Sequence, residues 1–372
     1  MTISRPSRRE ALALAAAVGG AIALPRGSAA AVGTPSLAAA AKSGGLLFGT
    51  AAGHELFSDA DYRDLVFAQA AILTPENALK FDALQPQQGQ FNFGPADALV
   101  DAAHRHGCLA RGHTLAWNDW PAPWLKALSH REIERVFDVY LDTVVPHFAG
   151  RLQSWDVVNE PFWLGKDKPG TFRPGPWYDS MGIDYIFRAF RRTAELDPST
   201  KLVLNEAWTE RTDPVGLAVR ASLLKLIDRI QDKGLKLDAV GLQGHLQPQE
   251  PHNDASFADF LHAIAERKVE IYITEFDVDD ESFPDADAAR DRAVAQRTAA
   301  FLQATLAVPA VTAVITWGLS DRYTWYRDPD IMAAHGLDRL ARPLPYDDLL
   351  RPKPMRAAMV EAFHGRASAS HG

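Results

Sequence analysis

Short apolar runs recur along the chain, each ending in polar residues and each followed by a helical pattern. Leu46–Ala51, Ala70–Thr74, Leu109–Thr114, Ser154–Asn159, Lys201–Asn205, Ala239–Gln243, Glu270–Thr274 and Ala313–Trp317 read as strands. A continuous apolar run suits a strand buried on both faces. Ser129 and Glu132 form a capping box, after which Ile133, Val136, Phe137, Tyr140, Leu141 and Val144 fall on one helix face. Leu223, Leu224, Ile227 and Ile230 make a second such face, and Gly234 is its expected stop. Ser256 is the expected cap of a third, with Phe257, Phe260, Leu261 and Ile264. Strand–helix units in this number predict a single (β/α)8 TIM barrel over residues 44–366, with a short tail at 367–372. The alternative is an open doubly wound sheet, which wants a G-x-G-x-x-G loop after its first strand. Phe48-Gly49-Thr50-Ala51-Ala52-Gly53 lacks that pattern.

Composition narrows the function. The chain has 372 residues, with Lys+Arg 39 against Asp+Glu 47 and a net charge of −8, so it lacks the basic balance of a nucleic-acid binder. The single cysteine, Cys108, excludes an internal disulfide and a cysteine-built zinc cluster. Residues 1–31 read as an export signal: Arg5, Arg8 and Arg9 precede the apolar run Ala11–Leu24 and the small residues Ser28, Ala29 and Ala30. Ser7-Arg8-Arg9 with Leu12 resembles a twin-arginine signal. The apolar run is too short to span a bilayer in a mature protein. The expected product is an exported monomer, periplasmic or secreted, without a membrane anchor.

In a barrel of this type, function collects just past the C-terminal ends of the strands. Those ends carry Thr74-Pro75-Glu76-Asn77 with Lys80, Arg111-Gly112-His113-Thr114-Leu115-Ala116-Trp117, and Trp155-Asp156-Val157-Val158-Asn159-Glu160. They continue with Asn205-Glu206-Ala207-Trp208, Gln243-Gly244-His245, Thr274-Glu275-Phe276-Asp277, and Trp317-Gly318-Leu319-Ser320-Asp321 with Trp325. Carboxylates, amides, imidazoles and indoles on one rim suit cleavage of a glycosidic bond. Two carboxyl groups act on opposite sides of that bond, and Glu160 and Glu275 end the fourth and seventh strands. Their expected separation is about 5–5.5 Å, the spacing of retaining enzymes. The nine tryptophans supply flat faces for stacking on sugars.

In order, these motifs resemble the family 10 glycoside hydrolases, the family of endo-β-1,4-xylanases, from about Leu46 to Phe363. Arg351-Pro352-Lys353-Pro354 looks like the family's closing turn. The resemblance implies that Glu160 is the acid/base, Glu275 the nucleophile, and Asn159 the partner of the sugar 2-hydroxyl. It implies that His245 with Asp277 orients the nucleophile. Glu76, Asn77 and Lys80 correspond to contacts on the non-reducing side, and His113, Trp117 and Gln243 to the lining around the cleaved sugar. Trp317 and Trp325 correspond to its indole walls. Departures from the family pattern stand at Ala78, Phe81, Asn118, Pro161 and Glu206-Ala207-Trp208. They bear on the leaving-group side and leave open another β-linked glycan or a decorated xylan fragment. No cofactor and no metal is expected. Two other classes compete. A metal-dependent hydrolase could use His113, His245, Glu160 and Asp321, but the first strand lacks a His-x-His. A carbohydrate-binding barrel without catalysis would need the aromatics and not the carboxylate pair.

Overall fold

Each apolar run becomes a strand, and each strand pairs in parallel with its neighbour. The computed structural model describes residues 35–335 and 339–369. Its main strands are β1 (Leu47–Ala52), β2 (Ile72–Pro75), β3 (Leu109–Gly112) and β4 (Ser154–Asn159). They continue as β5 (Lys201–Glu206), β6 (Ala239–Leu242), β7 (Glu270–Val278) and β8 (Val311–Thr316). The sheet closes where β8 returns to β1, with Leu47 opposite Ala313 and Thr50 opposite Thr316. The architecture is therefore a single (β/α)8 barrel. Among the described residues, no helix is long and apolar enough to cross a membrane. The expected export signal lies outside the described residues.

The helices that follow the strands are α1 (Ala60–Gln69), α2 (Gly94–Arg105), α3 (His130–Phe148) and α4 (Asp184–Leu196). Then come α5 (Pro214–Asp232), α6 (Asp254–Ala265), α7 (Asp287–Leu306) and α8 (Pro354–Ala369). Glu132 accepts from the Ser129 N–H at 2.9 Å, and the apolar stripe of α3 is buried from Ile133 to Phe148. Gly234, with φ of 64°, follows α5 as the stop. The cap of α6 differs from expectation. Asn253 is the cap, and its Oδ1 accepts from the Ser256 N–H at 2.9 Å, so Ser256 lies inside the helix. The helix starts earlier because Asn253 already satisfies a first-turn N–H three residues upstream of Ser256. At the other end α8 continues to Ala369, into the segment expected as a tail.

β7 outruns its expected end at Thr274 because a short segment, His245–Leu246, pairs with it. That pairing sets His245 opposite Asp277. Similarly, Ala116–Trp117 pairs with β4 and sets Trp117 opposite Asn159. The short pairings carry polar side chains onto the rim at fixed register. Behind the barrel, the helix Leu37–Ser43 packs beside α8, and the Arg356 guanidinium donates to the Pro35 carbonyl at 2.5 Å.

Candidate active site

A cleft of about 990 Å³ opens on the C-terminal rim of the strands. Glu76, Asn77, Lys80, His113, Trp117, Asn159, Glu160, Gln243, His245, Glu275, Trp317 and Trp325 all line it. Asp277 is fully buried behind it. Each residue given a site role from the sequence is thus at this cleft or directly behind it.

Register explains how the two carboxylates are linked. Asn159 on β4, Asn205 on β5 and Gly241 on β6 are successive partners across the sheet. The Asn205 Nδ2 group donates to Asn159 Oδ1 at 2.8 Å and to Glu275 Oε1 at 2.8 Å. Its Oδ1 accepts from the Thr274 hydroxyl at 2.7 Å. Asn159 in turn reaches Glu160 Oε1 at 3.4 Å. A relay of two amides therefore joins Glu160 to Glu275, with β5 and β6 between their strands. Gly241 makes room for it: a Cβ there would lie 2.1 Å from Asn205 Oδ1.

Glu275 is held as a carboxylate. Burial pushes its carboxyl up, but the hydrogen bond from His245 and the nearby histidines outweigh burial and bring it down to about 2. His245 Nε2 lies 3.3 Å from Glu275 Oε2, and its Nδ1 lies 2.9 Å from Asp277 Oδ2. Burial works against a charged imidazole there. The Asp277 charge and its hydrogen bond prevail and raise His245 well above its usual range. Asp277 also accepts from Trp325 Nε1 at 2.8 Å and from the Tyr326 hydroxyl at 3.3 Å, which ties the indole wall to the same carboxylate.

Glu160 is surrounded by donors. Its Oε1 accepts from Gln243 Nε2 at 2.8 Å. Its Oε2 accepts from Trp117 Nε1 at 3.2 Å and from Arg173 Nη2 at 3.0 Å. Arg173 Nε also donates to the Glu160 carbonyl at 3.1 Å, where Glu160 itself has φ of 48°. That left-handed conformation is uncommon for a residue with a side chain, and Arg173 braces it. Lys80 donates to Asn77 Oδ1 at 2.7 Å and lies 5.2 Å from the Trp117 ring centroid. Burial first, then the Glu55 charge, raises the Glu76 carboxyl to about 7. His113 sits 2.8 Å from Asp156 Oδ2, and Arg111 pairs with the other oxygen of that buried carboxylate.

Several site residues were given no role from the sequence. Arg173 lies 13 residues beyond Glu160 in a loop without periodicity, so no pattern places it. Asn205 ends a strand as visibly as Asn159 does, and that position was its signal. Glu206 is fully buried and accepts from the N–H groups of Phe162 and Ala207. Burial, with the Glu160 charge adding to it, raises its carboxyl well above the usual range. Trp120, Trp163 and Trp208 also line the cleft.

The departures sort into two groups. Asn118 is buried, and its Oδ1 accepts from the N–H groups of Trp177 and Tyr178 at 3.1 and 3.3 Å. It caps a short helix, Pro176–Met181, and does not line the cleft, so the expected effect of Asn118 on the leaving group has no contact to carry it. Phe81 packs among Trp124, Tyr140 and Trp177, and Ala78 lies against the core. Ala207 and Trp208 do line the cleft.

Comparison with known proteins agrees with this geometry. The profile described as Glycosyl hydrolase family 10 matches residues 36–362. A β-1,4-xylanase of Dictyoglomus thermophilum is 34% identical over 275 residues, 71% of this chain and 75% of its own. Endo-1,4-β-xylanase B of Thermotoga neapolitana is 32% identical over 322 residues, 84% of this chain and 87% of its own. The crystal structure of native xylanase 10B from Thermotoga maritima superimposes with a TM-score of 0.80 at 30% identity, over 90% of this chain and 99% of that one. The chain belongs to glycosyl hydrolase family 10.

Proposed function

We propose that this enzyme hydrolyses β-1,4-xylosidic bonds in xylan or xylo-oligosaccharides with retention, by double displacement. The observation that carries the reading is the pair of carboxylates on one cleft, Glu160 among hydrogen-bond donors and Glu275 held ionised, joined through Asn159 and Asn205. In the first step the Glu275 carboxylate attacks the anomeric carbon while Glu160 gives its proton to the departing oxygen. A covalent glycosyl–enzyme forms and the leaving sugar departs as an alcohol. In the second step Glu160 takes a proton from water, the resulting oxygen attacks the anomeric carbon, and Glu275 leaves as a carboxylate. Asn159 would hold the 2-hydroxyl through both steps. Glu76, Asn77 and Lys80 would bind the non-reducing side, with His113, Trp117, Gln243, Trp317 and Trp325 around the cleaved sugar. The names of the relatives support xylan as the polymer. The leader-like residues 1–31 support an exported enzyme, periplasmic or secreted.

Proton NMR of the first product from a β-xyloside tests the stereochemistry. The β anomer is expected, and initial α product removes Glu275 as nucleophile. Glu275→Ala should abolish turnover of every glycoside. Glu160→Ala should still release activated leaving groups, and azide should restore its second step. Equal loss on all substrates without azide rescue contradicts the assigned roles.

A further inference from the structure

The two halves of the cleft differ in chemistry. The β2 and β3 side offers Glu76, Asn77, Lys80 and His113. The other side is built from the loop after β4 and the end of β5, and its wall is Trp163, Leu164, Gly165, Arg173, Ala207 and Trp208. The indole N–H of Trp163 and the Arg173 guanidinium on that wall are engaged within the protein. Trp163 Nε1 donates to Asp167 Oδ1 at 2.8 Å. All three guanidinium nitrogens of Arg173 are used, two on Glu160 and one 2.8 Å from Asp119 Oδ2. Arg211 is held by Asp213, Gln247 and Glu250.

Both indoles are braced. A bare Cα at Gly165 leaves room for Trp163, since a Cβ there would lie 2.3 Å from its Nε1. Backbone bonds from Trp163 N to Thr171 O and from Gly170 N to Trp163 O fix the loop beneath it. Trp208 has φ of 57°, a left-handed conformation rare for a bulky residue, and the Arg211 guanidinium lies 4.4 Å from its ring centroid. The Trp163 and Arg173 donors of this wall are thus committed within the protein, whereas a flat apolar ring meets two fixed indoles.

We propose that the leaving-group side of this cleft is a binding site for an aromatic ring, so that the preferred bond joins the xylose chain to an aryl-bearing group. The inference rests on the hydrolytic reading above. The returning acceptor occupies the same place as the leaving group, so acceptor choice reads the site without the bias of leaving-group acidity. β-Xylobiosyl fluoride charges the enzyme with a sugar and leaves only fluoride. 2-Phenylethanol, 2-cyclohexylethanol and xylobiose are then offered at equal concentration. Attack by the acceptor oxygen on the anomeric carbon releases Glu275, and Glu160 takes the acceptor's proton. The ratio of transfer product to hydrolysis product is internal to each variant, so a general loss of activity does not move it.

Wild type is expected to transfer to 2-phenylethanol about tenfold better than to either competitor, an increment of the size that aromatic contacts supply. Trp208→Ala, and separately Trp163→Ala, should each lower that preference by about fivefold or more. Preference for xylobiose, parity between the phenyl and cyclohexyl alcohols, or an unchanged ratio in both variants overturns the inference while leaving the xylosidic reading intact. Failure to turn over xylobiosyl fluoride overturns that reading and this inference with it.

Discussion

Asn205 makes more of the site geometry than its place outside the proposed reacting pair suggests. Removing its side chain leaves a buried oxygen of Glu275 and the Asn159 amide short of a partner, at a cost of about 1–3 kcal/mol. Asn205→Ala should therefore lower the melting temperature by several degrees and, because the same bonds position Glu275, lower kcat/KM about 10- to 100-fold. Gly241→Ala should move activity the same way, since its methyl group would displace the Asn205 amide. Wild-type kcat in Gly241→Ala would detach the amide relay from catalysis. Glu76 supplies a second test. With its carboxyl raised to about 7, it is neutral in mild acid and ionised in mild base. Substrate binding removes more water from it and so favours the neutral form. KM should rise as pH climbs through about 7 and should stay level in Glu76→Gln; a slope surviving that substitution assigns the titration elsewhere. At this scale the sequence revealed the groups that end strands, because strand termination puts the next residues on the rim. It did not reveal Arg173, which a loop delivers, or that Asn118 serves a helix. Motif comparison marks a changed letter and not the backbone N–H it satisfies.

The strands and helices were legible as elements, while their ends were not. β4 runs from Ser154 to Asn159 as expected and is buried along its whole length, Asn159 included. β7 continues to Val278 because it gains a partner on the rim, and no local pattern announces a partner. Helix caps show the same split. The α3 cap is written locally in Ser129 and Glu132, but the cap of α1 also serves a distant part of the chain. Asp59 accepts from the Tyr62 N–H at 3.0 Å and also receives Arg322 and the Tyr323 hydroxyl from beyond β8. Backbone and side-chain donors, against the opposing effect of burial, lower its carboxyl to about 2. Asp59→Ala should cost about 1–2 kcal/mol in a denaturant titration, the usual range for a lost cap. Asp59→Asn should recover most of it, because an amide oxygen can cap as well. A neutral Asp59→Ala would mean that the Arg322 and Tyr323 contacts hold nothing in place.

For the molecule as a whole, the count of strand–helix units and the absence of a glycine-rich phosphate loop were enough to choose a closed barrel over an open sheet. The register that closes it was not legible, since the pairing of β1 with β8 joins residues from opposite ends of the barrel sequence. The helix Leu37–Ser43 runs beside α8, with Pro35 at Arg356 and Gly44 beside Phe363 and Arg366. From Arg356 to the end of α8 is about 20 Å at 1.5 Å per residue, a gap that a flexible linker of about ten residues spans. A version joined across that gap and reopened at the exposed turn around Gly234, remote from the cleft, should fold and keep wild-type KM. Loss of the fold in that permutant would show that chain order guides assembly. Retention would mean that the barrel is mechanically a ring: where translation begins on it is an accident of gene structure, and engineered fusions are free to enter from the side opposite the substrate.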